Sequence, residues 1–208
     1  MENNKDVLIK KIVAAEWDMF QGVNNIDGQR ASCQEDPKTF EIMRSSQFKS
    51  WDEDVLESYL DDLESAVKDD RNLLAEKYAR MMASTSPLEY AKIKHLLPPL
   101  DPETPKLIDQ ILEIVCEWEK ELVEKYPDII KRGRQLESVD DNLLATSKMT
   151  YYRGELCTYS LNTLRILYDS IKKMKLDNVN GSKVILEETA KRYGYHSIEE
   201  ANSILSEP

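Results

Sequence analysis

The stretch "DPKTFEIMRSSQFKSWDE", residues 36 to 53, carries the end signals of two successive helices. Asp36 can cap a helix whose first position is Pro37, a residue with no N–H to lose there. "SWDE" at 50 to 53 reads as a capping box for the next helix, ahead of Leu56, Tyr59, Leu60 and Leu63. Between them, Phe40, Met43, Gln47 and Trp51 fall on one face at about 100° per residue, and Arg44 falls among them. A helix whose apolar face also carries an arginine and a glutamine raises the question of what those two groups meet.

The same 3.6-residue pattern extends in both directions. Ile9, Ile12, Val13 and Phe20 mark a helix over about residues 5 to 21, and Leu73, Leu74, Tyr78, Met81 and Met82 mark another. "SPLE" at 86 to 89 offers a further start with Pro87 first. After "LPPLDPETP" at 97 to 105, a long helix runs from Ile108 to Tyr126 and stops at Pro127. One helix is expected over about 147 to 175, with Leu164, Leu167, Ile171 and Met174 in register. "GSKVILEETAKRYG" and "SIEEANSILS" add two short helices, the first closed by Gly194 and the second opened by Ser197. With only six glycines and few runs of period two, the chain reads as all-α. The expected architecture is an irregular bundle of about eight helices in a single domain, residues 1–208.

The net charge of −11 argues against nucleic acid as a partner, because phosphate binding needs concentrated Lys and Arg. No run approaches the ~20 apolar residues of a membrane helix, and Lys10, Lys11 and Glu16 interrupt any signal-peptide core at the start. Cys33, Cys116 and Cys157 are odd in number and far apart, so a reducing, cytoplasmic setting is expected rather than a disulfide framework.

Charged groups interrupt other stripes too. Glu16 falls within that of the first helix, and Lys77 flanks Leu74, Tyr78 and Met81, with Arg80 below Leu73. Leu164 and Leu167 extend backwards through Ser160 and Cys157 to Arg153, which places Arg153 inward and Glu155 on the other side. Gly154 inside that helix suggests close approach of another backbone or a ligand. A buried charge without a partner costs several kcal/mol, so these groups should meet one another or a ligand. Glu16 with Arg44 or Arg153 is the expected pairing. Two readings stand side by side: a structural ion-pair network, or a pocket for a small anion held by surplus cations. In the second, Arg30, Arg44, Gln47, Lys77, Arg80 and Arg153 bind the ligand, and Glu16 serves as base. Cys33 is a candidate nucleophile near Arg30, and Tyr152 a candidate acid or orienting group; a small buried thiol and ordinary packing are the plainer alternatives. Metal binding lacks a motif: there is no C-x-x-C, no H-E-x-x-H and no EF-hand loop. No cofactor can be named.

Five segments carry a family resemblance: "EWDMF", "RASCQEDPKTFEIMRSSQF", "SYLDDL", "RNLLAEKYARMM" and "YYRGELCTYSLNTL". They resemble a bacterial family classed as a domain of unknown function, the one numbered four-one-two-five. The resemblance implies a soluble bacterial protein and supplies no activity. It also implies that relatives can be joined to a nucleotidyltransferase-like domain, which for this chain would act in trans. The expected function is therefore a helical protein binding a small anionic metabolite, as an enzyme. The alternative is a non-catalytic accessory module for a protein partner such as a nucleotidyltransferase.

Overall fold

The computed structural model describes residues 3–23, 32–137, 141 and 146–206. Every regular element among them is helical. The helices are α1 (Asn4–Gln21), α2 (Pro37–Lys49), α3 (Glu53–Lys68), α4 (Leu73–Thr85), α5 (Pro87–Ile93), α6 (Thr104–Lys125), α7 (Pro127–Ile130), α8 (Lys148–Leu156), α9 (Leu161–Leu176), α10 (Gly181–Arg192) and α11 (Ile198–Ser206). Short 3-10 turns span Ser32–Glu35 and Lys94–Leu96. The all-α reading holds, with eleven α-helices among the described residues instead of about eight.

Two of the extra elements arise where the chain breaks. Pro127 ends α6, and a four-residue turn follows whose Asp128 and Ile129 N–H groups donate to Asn202 Oδ1 at 2.9 and 3.1 Å. The helix expected over 147 to 175 is two helices. The Ser160 hydroxyl accepts from the Thr163 N–H at 3.2 Å and so caps a new one. Upstream, the Thr158 hydroxyl donates to the Glu155 carbonyl at 2.7 Å and helps close the old one.

Most end signals act as read. Asp36 Oδ1 accepts from the Thr39 N–H at 3.0 Å with Pro37 in the first turn, and Ser197 Oγ accepts from the Glu200 N–H at 3.0 Å. Gly194 takes a positive φ of 94°, a conformation that suits glycine. The capping box at "SWDE" does not form. Ser50 closes α2, its hydroxyl donating to the Gln47 carbonyl, and α3 starts from Asp52 without a side-chain cap.

One large apolar cluster draws on α1, α2, α3, α4, α6, α8 and α9, and a small second one joins Leu122 and Tyr126 to Ile198 of α11. The rings of Phe48, Trp51, Tyr59 and Tyr159 pack edge-on or tilted within the large cluster, with the Tyr59 and Tyr159 ring centroids 4.7 Å apart. The inward face of α2 differs from the expected stripe. Ile42, Arg44, Ser45, Ser46 and Phe48 are buried, while Met43 is 49% exposed. The helix packs on α1 along one side and α10 along another, so its buried arc is wide and rotated away from Met43.

Helices α4 and α8 cross closely at Gly154. A Cβ there would lie 2.5 Å from Met81 Cγ and 3.0 Å from the Lys77 carbonyl oxygen. That close approach brings Lys77 and Glu155 together. Among the described residues, no helix is long and apolar enough to cross a membrane.

Candidate functional site

Glu16, on the apolar face of α1, is fully buried, and Arg44 of α2 is almost so. The two meet in a forked pair: Arg44 Nε donates to Glu16 Oε2 at 2.6 Å and Nη2 to Oε1 at 2.5 Å. Tyr59 of α3 adds a third donor to the same carboxylate, at 2.7 Å. The expected Glu16–Arg44 pairing is therefore present.

The second carboxylate is Glu155, 2% exposed on α8. Arg44 Nη2 reaches its Oε1 at 3.1 Å, Gln47 Nε2 donates at 2.7 Å and the Tyr159 hydroxyl at 2.8 Å. Lys77 of α4, itself buried, donates to Oε2 and also lies over the Tyr151 ring, 3.6 Å from its centroid. Gln47 is used at both ends, because its Oε1 accepts from Arg44 Nη1 at 2.8 Å. Glu16 and Glu155 against Arg44 and Lys77 make two negative and two positive charges. The surplus of cations expected from sequence is absent from this cluster.

The electrostatics follow from that pairing. Burial alone would push the Glu155 carboxyl up, but Arg44 and Lys77 outweigh it and hold it well below the usual carboxylate range. Burial opposes the charge on Arg44, and Glu155 and Glu16 together reverse that effect and raise it. Burial, then the nearby carboxylates, push Tyr59 and Tyr159 well above the ordinary phenol range, so both keep the protons they donate. Glu155 is saturated by donors and Glu16 is fully buried against three of them, which leaves neither as a ready general base.

Arg153 does not join the cluster. It is exposed, and its Nη2 pairs with Asp109 of α6 at 2.7 Å. Glu155 takes the inward position that was assigned to Arg153. The reason is the break at 157 to 160: helical phase carried back from Leu164 is valid only within one continuous helix, and α9 starts afresh at its Ser160 cap. Arg80 also lies apart, its Nη2 donating to the Pro98 carbonyl at 2.7 Å, where it ties α4 to the proline-rich connection. Cys33 sits exposed on the turn Ser32–Glu35, neither buried nor joined by a hydrogen bond or ion pair to Glu16, Arg44 or Glu155 among the described residues. Arg30 lies outside the described residues. Tyr152 is partly exposed, and burial followed by Glu119 and Glu155 raises its pKa, so it holds its proton.

Sequence reasoning missed three members of the cluster: Tyr59, Tyr159 and Glu155. Tyr59 lay on a stripe without charges, but its hydroxyl is a polar tip that needs a partner when buried, and that was the available signal. Glu155 is flagged only by its neighbour Gly154.

Beside the cluster lies a cleft of about 70 Å³. Its apolar wall includes Trp51, Ile111, Trp118, Leu167, Ile171 and Met174, and Gln47, Glu155, Tyr152, Tyr159 and Ser182 also border it. A larger surface groove of about 520 Å³ includes Asp109, Glu113, Glu117, Lys120, Glu137 and Arg153. Its Arg153–Asp109 and Lys120–Glu137 pairs face solvent and satisfy one another. Among the described residues, no group of three or more His, Cys, Asp or Glu side chains is placed to hold a metal ion.

No curated protein and no solved structure matches this chain. One family model, described as a protein of unknown function (DUF4125), matches residues 6–203. The match takes in α1 through most of α11, and the chain belongs to the DUF4125 family.

Proposed function

We propose that this protein is a small-molecule-binding helical protein whose ligand occupies the cleft bordered by Trp51, Trp118, Tyr152 and Ser182. The observation that carries the reading is the cleft's construction: an apolar wall closed on one side by a rigid, fully bonded polar network. In this reading the Glu16–Arg44–Glu155–Lys77 cluster frames the site and holds four helices in register, and does not itself bind the ligand. Engagement of both carboxylates inside the buried network supports a binding role over a catalytic one. The three cysteines, all unpaired, support the cytoplasmic setting, and the bacterial origin implied by the resemblance belongs to the same proposal.

A thermal-shift screen of small metabolites tests it, comparing the native chain with Val115→Phe, which fills the cleft from its half-buried wall. A ligand at about 100 times its dissociation constant stabilises the native protein by about 2.7 kcal/mol. The expected result is such a shift in the native chain and its loss in Val115→Phe. A screen in which no compound shifts the native protein, or in which the variant responds equally, rejects the reading.

A further inference from the structure

The cleft beside the buried network presents mostly carbon. Its wall is built of tryptophan, leucine, isoleucine, valine and methionine side chains from α6, α9 and α10, together with Trp51 and Leu156. Among the described residues that line it there is no Lys or Arg, and Glu155 is the one charged group. That charge is neutralised in place, by Arg44 at 3.1 Å and by Lys77 on the other oxygen. Glu119, next to Trp118 in the chain, is paired in turn with Lys148 at 2.7 Å.

The polar groups of the lining are turned to protein partners. Gln47 donates to Glu155 and accepts from Arg44, and the Tyr159 hydroxyl donates to Glu155. Ser50 donates to the Gln47 carbonyl and Ser170 to Asp52. Burial, then Glu119 and Glu155, keep Tyr152 protonated, so it adds no charge. An ion of either sign entering here would give up its hydration without meeting an unpaired counter-charge. Carbon, by contrast, gains from each contact with the wall.

Size is limited as well. The wall is closely packed at Gly181, where a Cβ would stand 2.8 Å from Trp118 Cζ3 and 3.2 Å from Met174 Cε. The cleft's volume of about 70 Å³ is close to half of the roughly 150 Å³ in which an apolar cavity holds a six-carbon ring, so it takes about three carbons of an unbranched chain.

We propose that the cleft binds an uncharged short-chain aliphatic compound, its chain laid on the wall between Trp51 and Trp118 and any polar end left at the mouth. This rests on the small-molecule reading above and names the ligand class.

The test is titration of the full chain with the 1-alkanols from ethanol to 1-hexanol, and with butyrate and butylamine, followed by tryptophan fluorescence and NMR. Affinity should rise by up to about fourfold per carbon as far as 1-butanol and then level off. 1-Butanol should bind at least about tenfold more tightly than butyrate or butylamine. Val115→Phe should abolish binding. Butyrate or butylamine binding as tightly as 1-butanol, yet lost in Val115→Phe, overturns the uncharged class and leaves the cleft as the site. Affinity that keeps rising through 1-hexanol overturns the size. Alkanol binding that persists in Val115→Phe, or no binding by any probe, overturns the assignment, while the metabolite screen judges the reading above on its own. Where Val115→Phe does not fold, Val115→Ala serves in its place. It widens the cleft and should carry the plateau to a longer alkanol, and an unmoved plateau overturns the assignment.

Discussion

Arg44 holds Glu16 with two arms of one guanidinium, at 2.6 and 2.5 Å, and the same plane reaches Glu155 of a helix 111 residues further along the chain. One side chain thus joins α1, α2 and α8 at a point sealed from water. Replacing it leaves two buried carboxylates short of a cation. Arg44→Ala is expected to cost about 3–5 kcal/mol in a denaturant titration. Arg44→Lys should recover less than half of that, because a lysine ammonium cannot form the fork. An Arg44→Ala protein as stable as the native one would show that the network does not hold the helices together.

Arg153→Ala should behave in the opposite way. Its pair with Asp109 is exposed at both ends, with side-chain exposures of 49% and 64%. The expected cost is below about 1 kcal/mol in the same titration, shrinking further in high salt. A loss of several kcal/mol would mean that Arg153 acts from inside the bundle.

Acid should weaken the hold of Glu155 on the cluster. Arg44 and Lys77 hold its folded-state pKa below the unfolded carboxylate value of 4.5. A depressed carboxylate contributes stability that is complete above the unfolded pKa and is lost as the pH falls below it towards the folded value. The unfolding free energy should therefore fall from about pH 5 downwards, with Glu155 contributing up to about 1.4 kcal/mol per pH unit. Glu155→Gln should be less stable at pH 7 and show a shallower acid limb. An unchanged acid limb in the variant would assign the pH dependence to other groups.

At Gly154 two effects compete. Alanine is a better helix former than glycine by about 1 kcal/mol. Against this, its Cβ would stand 3.0 Å from the Lys77 carbonyl, which is backbone, as well as 2.5 Å from Met81. The carbonyl cannot yield without separating α4 from α8, so overpacking should win. Gly154→Ala is expected to destabilise by about 1–3 kcal/mol, read from the denaturant midpoint. A stabilised variant would mean that the crossing has slack.

Cys33 offers a simple check on the surface. It is exposed, whereas burial raises the Cys157 thiol above its ordinary pKa. A thiol reagent added to the native protein at pH 8 should modify Cys33 within the fast phase and Cys157 last. Cys33→Ser should remove that fast phase with no change in melting temperature. Equal rates at all three cysteines would contradict this surface.

How much was legible beforehand varies by residue. Asp36–Pro37 and Ser197 announce helix starts because capping is settled by the residue and its next three neighbours. Glu16 and Arg44 were readable as inward-facing for the same local reason: each lies well inside one unbroken helix, where spacing reports the face. The amino-acid sequence thus determined the helical class, many helix ends and the fact that opposite charges enter the core. Tertiary structure decided which charges balance and where a cavity is left. Glu155 replaces Arg153 because the Ser160 cap starts a new helix, and the cluster closes only where α4 and α8 cross at Gly154. Periodicity is a property of one continuous helix, whereas pairing and empty space depend on how separate helices are placed against one another.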